Sequence, residues 1–332
     1  MNASTDPYDE LDRALLQALH LDARAPFRRL GEVLGVSDQT VARRYARLRQ
    51  RGALRVTVLR HAGPVREVQW LLRVRAVPSA AGEVADALAR RPDTSWVNLC
   101  AGGTEIECTV YGTDVGPLLL EVLPRTRQVI DVEAAEVLHV FYGGAGSPYA
   151  KPGPLTPDQI AALTQPAAGA DSSTPRGDGV LEGLDLRLYE ELRSDGRASV
   201  DHLANVGGVS GPTVRRRLRA LVADGVISFD IDADPRLMGL PARAMLRLAV
   251  RPDRLDATGR ALAEHTEVAF VAATTGSTSL YAAIGSYSPG GLYHYLTTEI
   301  AALSGITQVS PTPVLRTVKA ATTHYGPHHP AG

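Results

Sequence analysis

The chain has 332 residues, of which 44% are hydrophobic and 21% are charged, and its 35 basic and 36 acidic side chains give a net charge of -1. This length predicts about two domains or several small ones, and the composition excludes a disordered protein, a collagen and a small disulfide-rich scaffold. No run of about 18 apolar residues occurs, the N-terminus lacks the basic and apolar regions of a signal peptide, and Cys100 and Cys108 are the only cysteines. We therefore expect a cytoplasmic protein without a membrane helix.

A segment near the N-terminus recurs in the second half of the chain. Residues 11–54 align without gaps with residues 184–227 at a constant offset of 173, and 18 of the 44 aligned positions are identical. Self-similarity of this extent indicates a tandem duplication, so the architecture is expected to repeat.

Each copy predicts three helices, the last two of which form a helix-turn-helix. In the first copy Leu11, Leu15 and Leu19 recur every four residues and mark the buried face of one helix. A second helix is predicted from about Phe27 to Leu34. It is followed by Gly35-Val36-Ser37, in which Gly allows a tight turn and Ser is a good N-cap for the third helix. The second copy repeats the pattern with Leu184, Leu188 and Leu192, a helix from about Val200 to Val206, and Gly208-Val209-Ser210.

The third helix of each copy carries the expected nucleic-acid contacts. Guanidinium groups contact phosphates and guanine edges, and short polar groups near a helix N-terminus can reach bases. A solvated helix face is the alternative, but such faces usually mix charges, whereas residues 215–219 hold four arginines and no acid. The residues expected to contact double-stranded DNA are Ser37, Gln39, Thr40, Arg43, Arg44 and Arg47 in the first copy and Ser210, Thr213, Arg215, Arg216, Arg217 and Arg219 in the second.

The segments after each third helix predict a strand and then a four-stranded module. Residues 54–65 and 227–234 have the alternation of a wing or a connecting strand. The order that follows is β-α-β-β-α-β, the ferredoxin-like plan, with first strands at Trp70–Val77 and Ala244–Val250. Such a sheet leaves one face to be covered, so we expect the two sheets to pair face to face.

We therefore predict an α+β fold in which two winged helix-turn-helix domains alternate with two ferredoxin-like domains. The predicted domains are a first DNA-binding domain over 1–62, a first ligand and dimerisation domain over 63–143, a linker with a short helix over 144–180, a second DNA-binding domain over 181–234, a second ligand and dimerisation domain over 235–322, and a tail over 323–332.

Both copies resemble the leucine-responsive/asparagine regulator (Lrp/AsnC) family. The residues that carry the resemblance in the first copy are Leu11-Asp12, Asp22-Ala23-Arg24, Leu30, Gly35-Val36-Ser37, Thr40-Val41, Arg43-Arg44, Leu48 and Gly52, with partners from Leu184-Asp185 to Gly225. The resemblance covers nearly the whole chain, twice. It implies a cytoplasmic transcription regulator whose C-terminal sheet module dimerises and often senses amino acids. We expect no enzymatic activity, no metal and no cofactor. The resemblance further implies a homodimer or a larger assembly, while a single chain with two heads and two sheets could also act as a pseudo-dimer.

Any small-molecule effector is expected near the glycine turn between the second and third strands of each module. Many family members carry an acidic residue shortly after this turn; Glu105 follows the first turn, whereas the second turn ends without an acid at Ser279. An amino acid, another metabolite and no effector at all therefore stay open, and the turns could be simple strand connections. The candidate effector residues are Gly102, Gly103, Thr104, Thr275, Gly276, Thr278 and Ser279.

Two other classes of protein compete with an effector-responsive regulator. Some tandem relatives of this fold decarboxylate siroheme and use a histidine-containing strand, but the corresponding strand here, Trp96–Cys100, has no histidine. An architectural DNA-binding protein without an effector is the second alternative. The histidines His324, His328 and His329 predict a solvated tail rather than a metal site, because they lack cysteine or acidic partners.

The two heads are expected to be unequal. Residues 11–66 contain 12 arginines and 4 acids, a net of +8, whereas residues 184–239 contain 8 arginines and 9 acids, a net of -1. Because attraction to phosphates dominates DNA affinity, this count predicts that the first copy binds DNA more tightly than the second. The differences between the heads also predict an imperfect palindrome as operator.

Overall fold

The computed structural model describes residues 7–60, 69–112, 114–143, 153–164, 181–234, 236–321 and 325. The chain divides into two compact units, Met1–Arg66 with Pro148–Met238 and Glu67–Ser147 with Gly239–Gly332. The linker segment 166–179 and the three tail histidines lie outside the described residues. No helix within the described ranges is long and apolar enough to cross a membrane.

The helices are α1 (Glu10–Leu21), α2 (Phe27–Leu34), α3 (Asp38–Gln50), α4 (Ala81–Ala89), α5 (Leu123–Arg125), α6 (Pro157–Leu163), α7 (Gly183–Ser194), α8 (Val200–Gly207), α9 (Gly211–Ala223), α10 (Leu255–Glu264) and α11 (Pro289–Tyr295). The strands are β1 (Leu54–Arg60), β2 (Gln69–Ala76), β3 (Thr94–Cys100), β4 (Glu105–Tyr111), β5 (Val129–Tyr142), β6 (Ile227–Ala233), β7 (Ala242–Val250), β8 (Val268–Thr274), β9 (Leu280–Ser286) and β10 (Ile306–Lys319). Short π-helical turns, Leu118–Val122 and Leu296–Ile300, precede α5 and follow α11.

The first unit contains both helix-turn-helix heads, head one from α1–α3 and head two from α7–α9. The turn before each third helix passes through a left-handed glycine, Gly35 with φ 68° or Gly208 with φ 65°, a backbone conformation that glycine adopts without steric cost. Leu15, Leu19 and Leu48 are fully buried in head one. The leucine spacing and the glycine turn therefore produce the predicted three-helix heads.

The two heads exchange a strand. The strands β1 and β6 pair antiparallel, with Val56 opposite Ile231 and Val58 opposite Phe229. Val58 lies in the core of head two, and Ile231 lies in the core of head one. Of the two roles predicted for these segments, they take that of a connection: each copy contributes one strand, and each strand completes the other copy's core.

The helix α6 packs on head one. Thr156 caps it, and its side chain accepts a hydrogen bond from the Gln159 backbone N–H. The side chain of Leu163 is fully buried in the core of head one. The Gln159 amide donates to the carbonyl oxygen of Val33 at 2.7 Å, and the Arg29 guanidinium donates to that of Ala162 at 2.6 Å. The linker helix thus braces the first helix-turn-helix.

The second unit is a closed barrel of eight strands in the order β10-β3-β4-β2-β5-β8-β9-β7. Each half has the ferredoxin-like strand order, so the predicted fold class is confirmed. Helices and apolar side chains cover the outer face of both halves. The free sheet faces turn inward, consistent with the expected pairing.

The barrel closes because its two longest strands each pair with both modules. β5 pairs with β2 through residues 129–136 and with β8 through residues 137–142. β10 pairs with β7 through residues 306–313 and with β3 through residues 314–319. A closed sheet leaves no unpaired edge, which removes a common route to aggregation.

Candidate nucleic-acid interface

The serines predicted to contact DNA cap the third helices. The Ser37 hydroxyl accepts a hydrogen bond from the Thr40 backbone N–H at 3.2 Å and lies 2.9 Å from the Thr40 hydroxyl. The Ser210 hydroxyl has the same relation to Thr213, at 3.4 and 3.0 Å. The four side chains lie at the helix N-termini, as predicted, and their hydroxyls are engaged locally in the cap.

Three of the predicted DNA-contacting arginines form ion pairs within their own head. The Arg44 guanidinium contacts Asp9 at 2.6 Å and Asp12 at 2.9 Å. Arg47 donates to the Asp12 carboxylate at 2.6 Å, and the Asp12 side chain is 0% exposed. In the second copy Arg217, which is equivalent to Arg44, binds Asp185, with 2.9 Å between Nε and Oδ1.

These pairs connect the third helix of each head to its first helix. The hydrogen bond to Asp9 is the largest cause that raises the pKa of Arg44, and the bond to Asp185 does the same for Arg217. A buried carboxylate needs such partners, because an unpaired buried charge is costly. Sequence analysis counted these guanidinium groups as available to phosphates, whereas in this structure carboxylates already neutralise them.

The other predicted contacts project into solvent. Gln39 and Arg43 are exposed on α3, and Arg215, Arg216 and Arg219 are exposed on α9. Within the described ranges, none of these four arginines forms an ion pair; Arg219 donates to the backbone carbonyl oxygen of Arg215 at 3.3 Å. These are the guanidinium groups available to a polyanion.

The acids that made the second copy seem electronegative lie against the first copy. The register places Asp232 opposite Arg55. Asp234 accepts a hydrogen bond from the Tyr8 hydroxyl at 3.0 Å and pairs with Arg236. Because the heads exchange strands, a charge sum for each copy does not describe the charge of each head, and the basis for a stronger first head is removed.

The candidate effector turns differ between the two modules. In the second turn the Thr275 hydroxyl accepts a hydrogen bond from the Glu136 backbone N–H at 2.8 Å, and the Ser279 hydroxyl is bonded to the backbone of Val250. In the first turn the Thr104 hydroxyl donates to the carbonyl oxygen of Ala101 at 3.0 Å. The Thr104 hydroxyl is therefore engaged within its own turn, and those of Thr275 and Ser279 are engaged by the backbone of neighbouring strands.

A small cavity lies beside the second turn. Of the seven candidate effector residues, Thr278 lines it, together with Arg73, Glu133, Arg247 and Tyr281. Its volume is about 10 Å³, room for roughly one water molecule.

Gly102 (φ 68°) and Gly103 (φ 88°) of the first turn adopt left-handed backbone conformations, which explains the choice of glycine there.

Sequence analysis missed a buried polar cluster inside the barrel. Glu107 on β4 pairs with Arg247 on β7 at 2.7 Å and accepts a hydrogen bond from the Tyr281 hydroxyl on β9 at 3.1 Å. Burial is the largest cause that raises the pKa of Glu107. Nearby, Arg73 holds Glu105 through both carboxylate oxygens. The signal was available, because Arg73 and Arg247 occupy matching positions in strands that are otherwise mostly apolar.

Comparison with protein families gives three matches. The AsnC-type helix-turn-helix domain matches residues 9–49, and a winged helix-turn-helix DNA-binding domain matches residues 181–228. The Lrp/AsnC ligand-binding domain matches residues 243–323. These matches cover both heads and the second barrel module.

Similar proteins include regulators that match about two fifths of this chain and an enzyme that matches almost all of it. An uncharacterised HTH-type transcriptional regulator of Pyrococcus furiosus is 28% identical over 42% of this chain and 95% of its own length. The regulator LrpA1 of Halobacterium salinarum is 28% identical over 39% of this chain and 92% of its own length. The crystal structure of the siroheme decarboxylase NirDL with an iron-uroporphyrin III analogue covers 96% of this chain and 94% of its own, with a TM-score of 0.61 and 16% identity. That likeness shows a shared fold.

The duplicated heads, the arginine-bearing third helices and the ferredoxin-like modules agree with the matched families. The chain is a tandem-duplicated member of the Lrp/AsnC family of DNA-binding transcriptional regulators.

Proposed function

We propose that one chain reads both halves of an imperfect palindrome through two unequal heads, and that a small molecule tunes this binding. The observation that carries the proposal is the strand exchange between Val56–Val58 and Phe229–Ile231, which joins both reading helices in one unit. Two-headed readers contact half-sites separated by about one helical turn of DNA. A single chain therefore supplies the pair of heads that such an operator requires.

Footprinting of the full-length protein tests this function. Operators are first recovered by chromatin immunoprecipitation and then titrated with purified protein against hydroxyl-radical cleavage. We expect two protected patches of different sequence, about 10 base pairs apart. Protection that spreads evenly along any DNA would instead identify an architectural protein.

An effector site is proposed at the second glycine turn. Arg73, Glu133 and Arg247 place charges of both signs beside the Thr278 side chain, a combination suited to a zwitterion such as an amino acid. The cavity must open to admit such a ligand. A thermal-shift screen of amino acids and other metabolites tests it, with Thr278→Val as the variant and Thr104→Val as the matched control in the first turn. A ligand that stabilises the wild type and the control but not T278V supports the site.

We propose that the protein is not an enzyme, although one observation favours the alternative. The siroheme decarboxylase NirDL shares the fold over almost the whole chain. Against an equivalent activity, the strand Trp96–Cys100 has no histidine. Purified protein incubated with siroheme and passed through a desalting column should elute without a Soret band. A stoichiometric Soret band would support the enzyme reading.

A homodimer or larger species is proposed as the working form. The side chains of Leu120, Val122 and Ile130 in the first module are 79%, 50% and 60% exposed. Large exposed apolar side chains in one module favour association. Light scattering should give at least a dimer mass at micromolar concentration, and Leu120→Asp with Ile130→Asp should reduce it, while the control Tyr287→Ser should not. A wild-type monomer mass would contradict this assembly.

A further inference from the structure

We infer that α9 of head two, not α3 of head one, makes the stronger electrostatic contact with DNA, through Arg215 and Arg219. This inference rests on the proposed function, because it assigns the two unequal heads of that reader. It reverses the order that the charge of the two sequence copies predicts.

Position-by-position comparison of the two helices carries the inference. At the offset of 173, Arg215 takes the place of Ala42, and Arg219 takes the place of Ala46. The arginines that α3 has in addition are Arg47 and Arg49; Arg47 is bound to the buried Asp12, and Arg49 pairs with Asp195. The pair Arg43 and Arg216 is common to both helices and exposed in both. Helix α9 therefore presents three guanidinium groups without an acidic partner in the described part of the chain, whereas α3 presents Arg43 alone.

The first turns of the two helices add to this difference. Asp38 stands in the first turn of α3, is exposed, and accepts a hydrogen bond from the Gln39 backbone N–H at 2.8 Å. The first turn of α9 holds Gly211 and Pro212 and no acid. A helix N-terminus carries partial positive charge that attracts phosphate. The Asp38 carboxylate opposes this attraction at α3, and nothing in the first turn opposes it at α9.

The spacing of the arginines on α9 points to a polyanion as their partner. Arg215 and Arg219 are four residues apart and Arg216 and Arg219 three apart, so their guanidinium groups lie on neighbouring positions of one surface. Like charges at these spacings destabilise an isolated helix. Phosphates of a DNA backbone relieve that repulsion and release counterions at the same time. The chemistry therefore selects duplex DNA as the ligand of this face.

The test uses the full chain, since Val58 and Ile231 each complete the core of the opposite head. The double variant Arg215→Ala with Arg219→Ala gives α9 the residues that α3 has at these positions. The matched single variant is Arg43→Ala in α3, and the reciprocal variant is Ala42→Arg with Ala46→Arg. All five positions lie outside the buried cores, and thermal unfolding checks that each variant remains folded.

Affinity for a mapped operator is measured by fluorescence anisotropy across a salt series. We expect R215A/R219A to weaken binding more than tenfold at low salt and to lower the salt slope by about 2, against about 1 for R43A. Protection should be lost first from the half-site under head two, and A42R/A46R should tighten binding. If R43A loses as much affinity for the operator as the double variant, or more, the inference is overturned, although the proposed recognition of DNA by two heads still stands. A wild-type protein that protects no operator would overturn the proposed function itself.

Discussion

Arg24 and Arg197 each hold the loop from which the other projects. The Arg24 guanidinium donates to the carbonyl oxygens of Gly196 and Ala198 at 2.5 and 2.8 Å. Arg197 donates to those of Ala23 and Ala25 at 2.6 and 2.7 Å. The exchange obeys the same offset of 173 that relates the sequence copies. These four hydrogen bonds link the two heads.

Removing these hydrogen bonds should allow the protein to bind operators with a wider range of spacings between the half-sites. Arg24→Ala with Arg197→Ala leaves four carbonyl groups without these donors, and we expect the free energy of unfolding to fall by about 2–4 kcal/mol. Operators with one or two base pairs inserted between half-sites should then bind almost as well as the natural one, as measured by gel shift. The control is Arg49→Ala, which removes a partly exposed pair with Asp195 and should cost less than about 1 kcal/mol. Unchanged discrimination against insertions would show that other contacts set the spacing.

The pairs between first and third helices should contribute to stability more than to DNA binding. Asp12→Ala removes the carboxylate that holds Arg44 and Arg47, and we expect a loss of about 2 kcal/mol in the free energy of unfolding by urea. The released arginines gain freedom to reach phosphates, so affinity for DNA should not fall in the folded protein. Asp38→Ala, at an exposed carboxylate, serves as the control and should leave stability nearly unchanged. A large loss of affinity at full folding would contradict this division of roles.

The buried cluster of Glu107, Arg247 and Tyr281 should respond unequally to loss of its members. Arg247→Met leaves the Glu107 carboxylate buried without its cation, and we expect a loss of about 3–5 kcal/mol. Tyr281→Phe removes one donor and should cost about 1–2 kcal/mol. Adding Glu107→Gln to Arg247→Met removes the unpaired charge and should recover part of the loss. Chemical denaturation of the wild type, these three variants and the single variant Glu107→Gln gives the coupling between Glu107 and Arg247; additive losses would argue against a cooperative cluster.

The carboxyl group of Asp230 should make the folded protein less stable as the pH rises. Burial is the main cause that raises the pKa of this carboxyl to about 6. A folded-state pKa above the unfolded value means that the folded protein binds more protons between these two values, so this group lowers stability as pH rises toward 6. Asp230→Asn should therefore raise the melting temperature at pH 7–8 and lose that gain by pH 4. An equal gain at both pH values would show that ionisation has no part in it.

The sequence predicted what depends on local pattern. The leucine spacing of Leu11, Leu15 and Leu19, the glycine turns and the β-α-β-β-α-β order all appear in the structure, because each helix, turn and strand is specified by the pattern of its own residues. Barrel closure was not predictable in the same way. It depends on which strand lies beside the second half of β5 and of β10, and that choice is made by residues more than 100 positions away.

The candidate site shows the same division. The positions of Arg43, Arg44 and Arg47 on one helix follow from periodicity, but the partner of each side chain does not. The sequence identified Asp12 only as part of a family motif. In the structure its buried carboxylate forms ion pairs with Arg44 and Arg47, so these two arginines are not unpaired cations. Charge counted along a sequence therefore overestimates charge presented to a ligand wherever acids of a neighbouring helix can reach it.

The exchange of β1 and β6 also bears on how such a protein can change. In a regulator built from two identical chains, every substitution is made in both reading helices at once. Here the two helices are parts of one polypeptide and already differ at Gln39 and Pro212, so each can diverge while the other is kept. The protein bound to its operator then has a defined direction along the DNA, because the helix facing the promoter differs from the helix facing away from it. Inverting the operator would turn a different surface toward the transcription machinery.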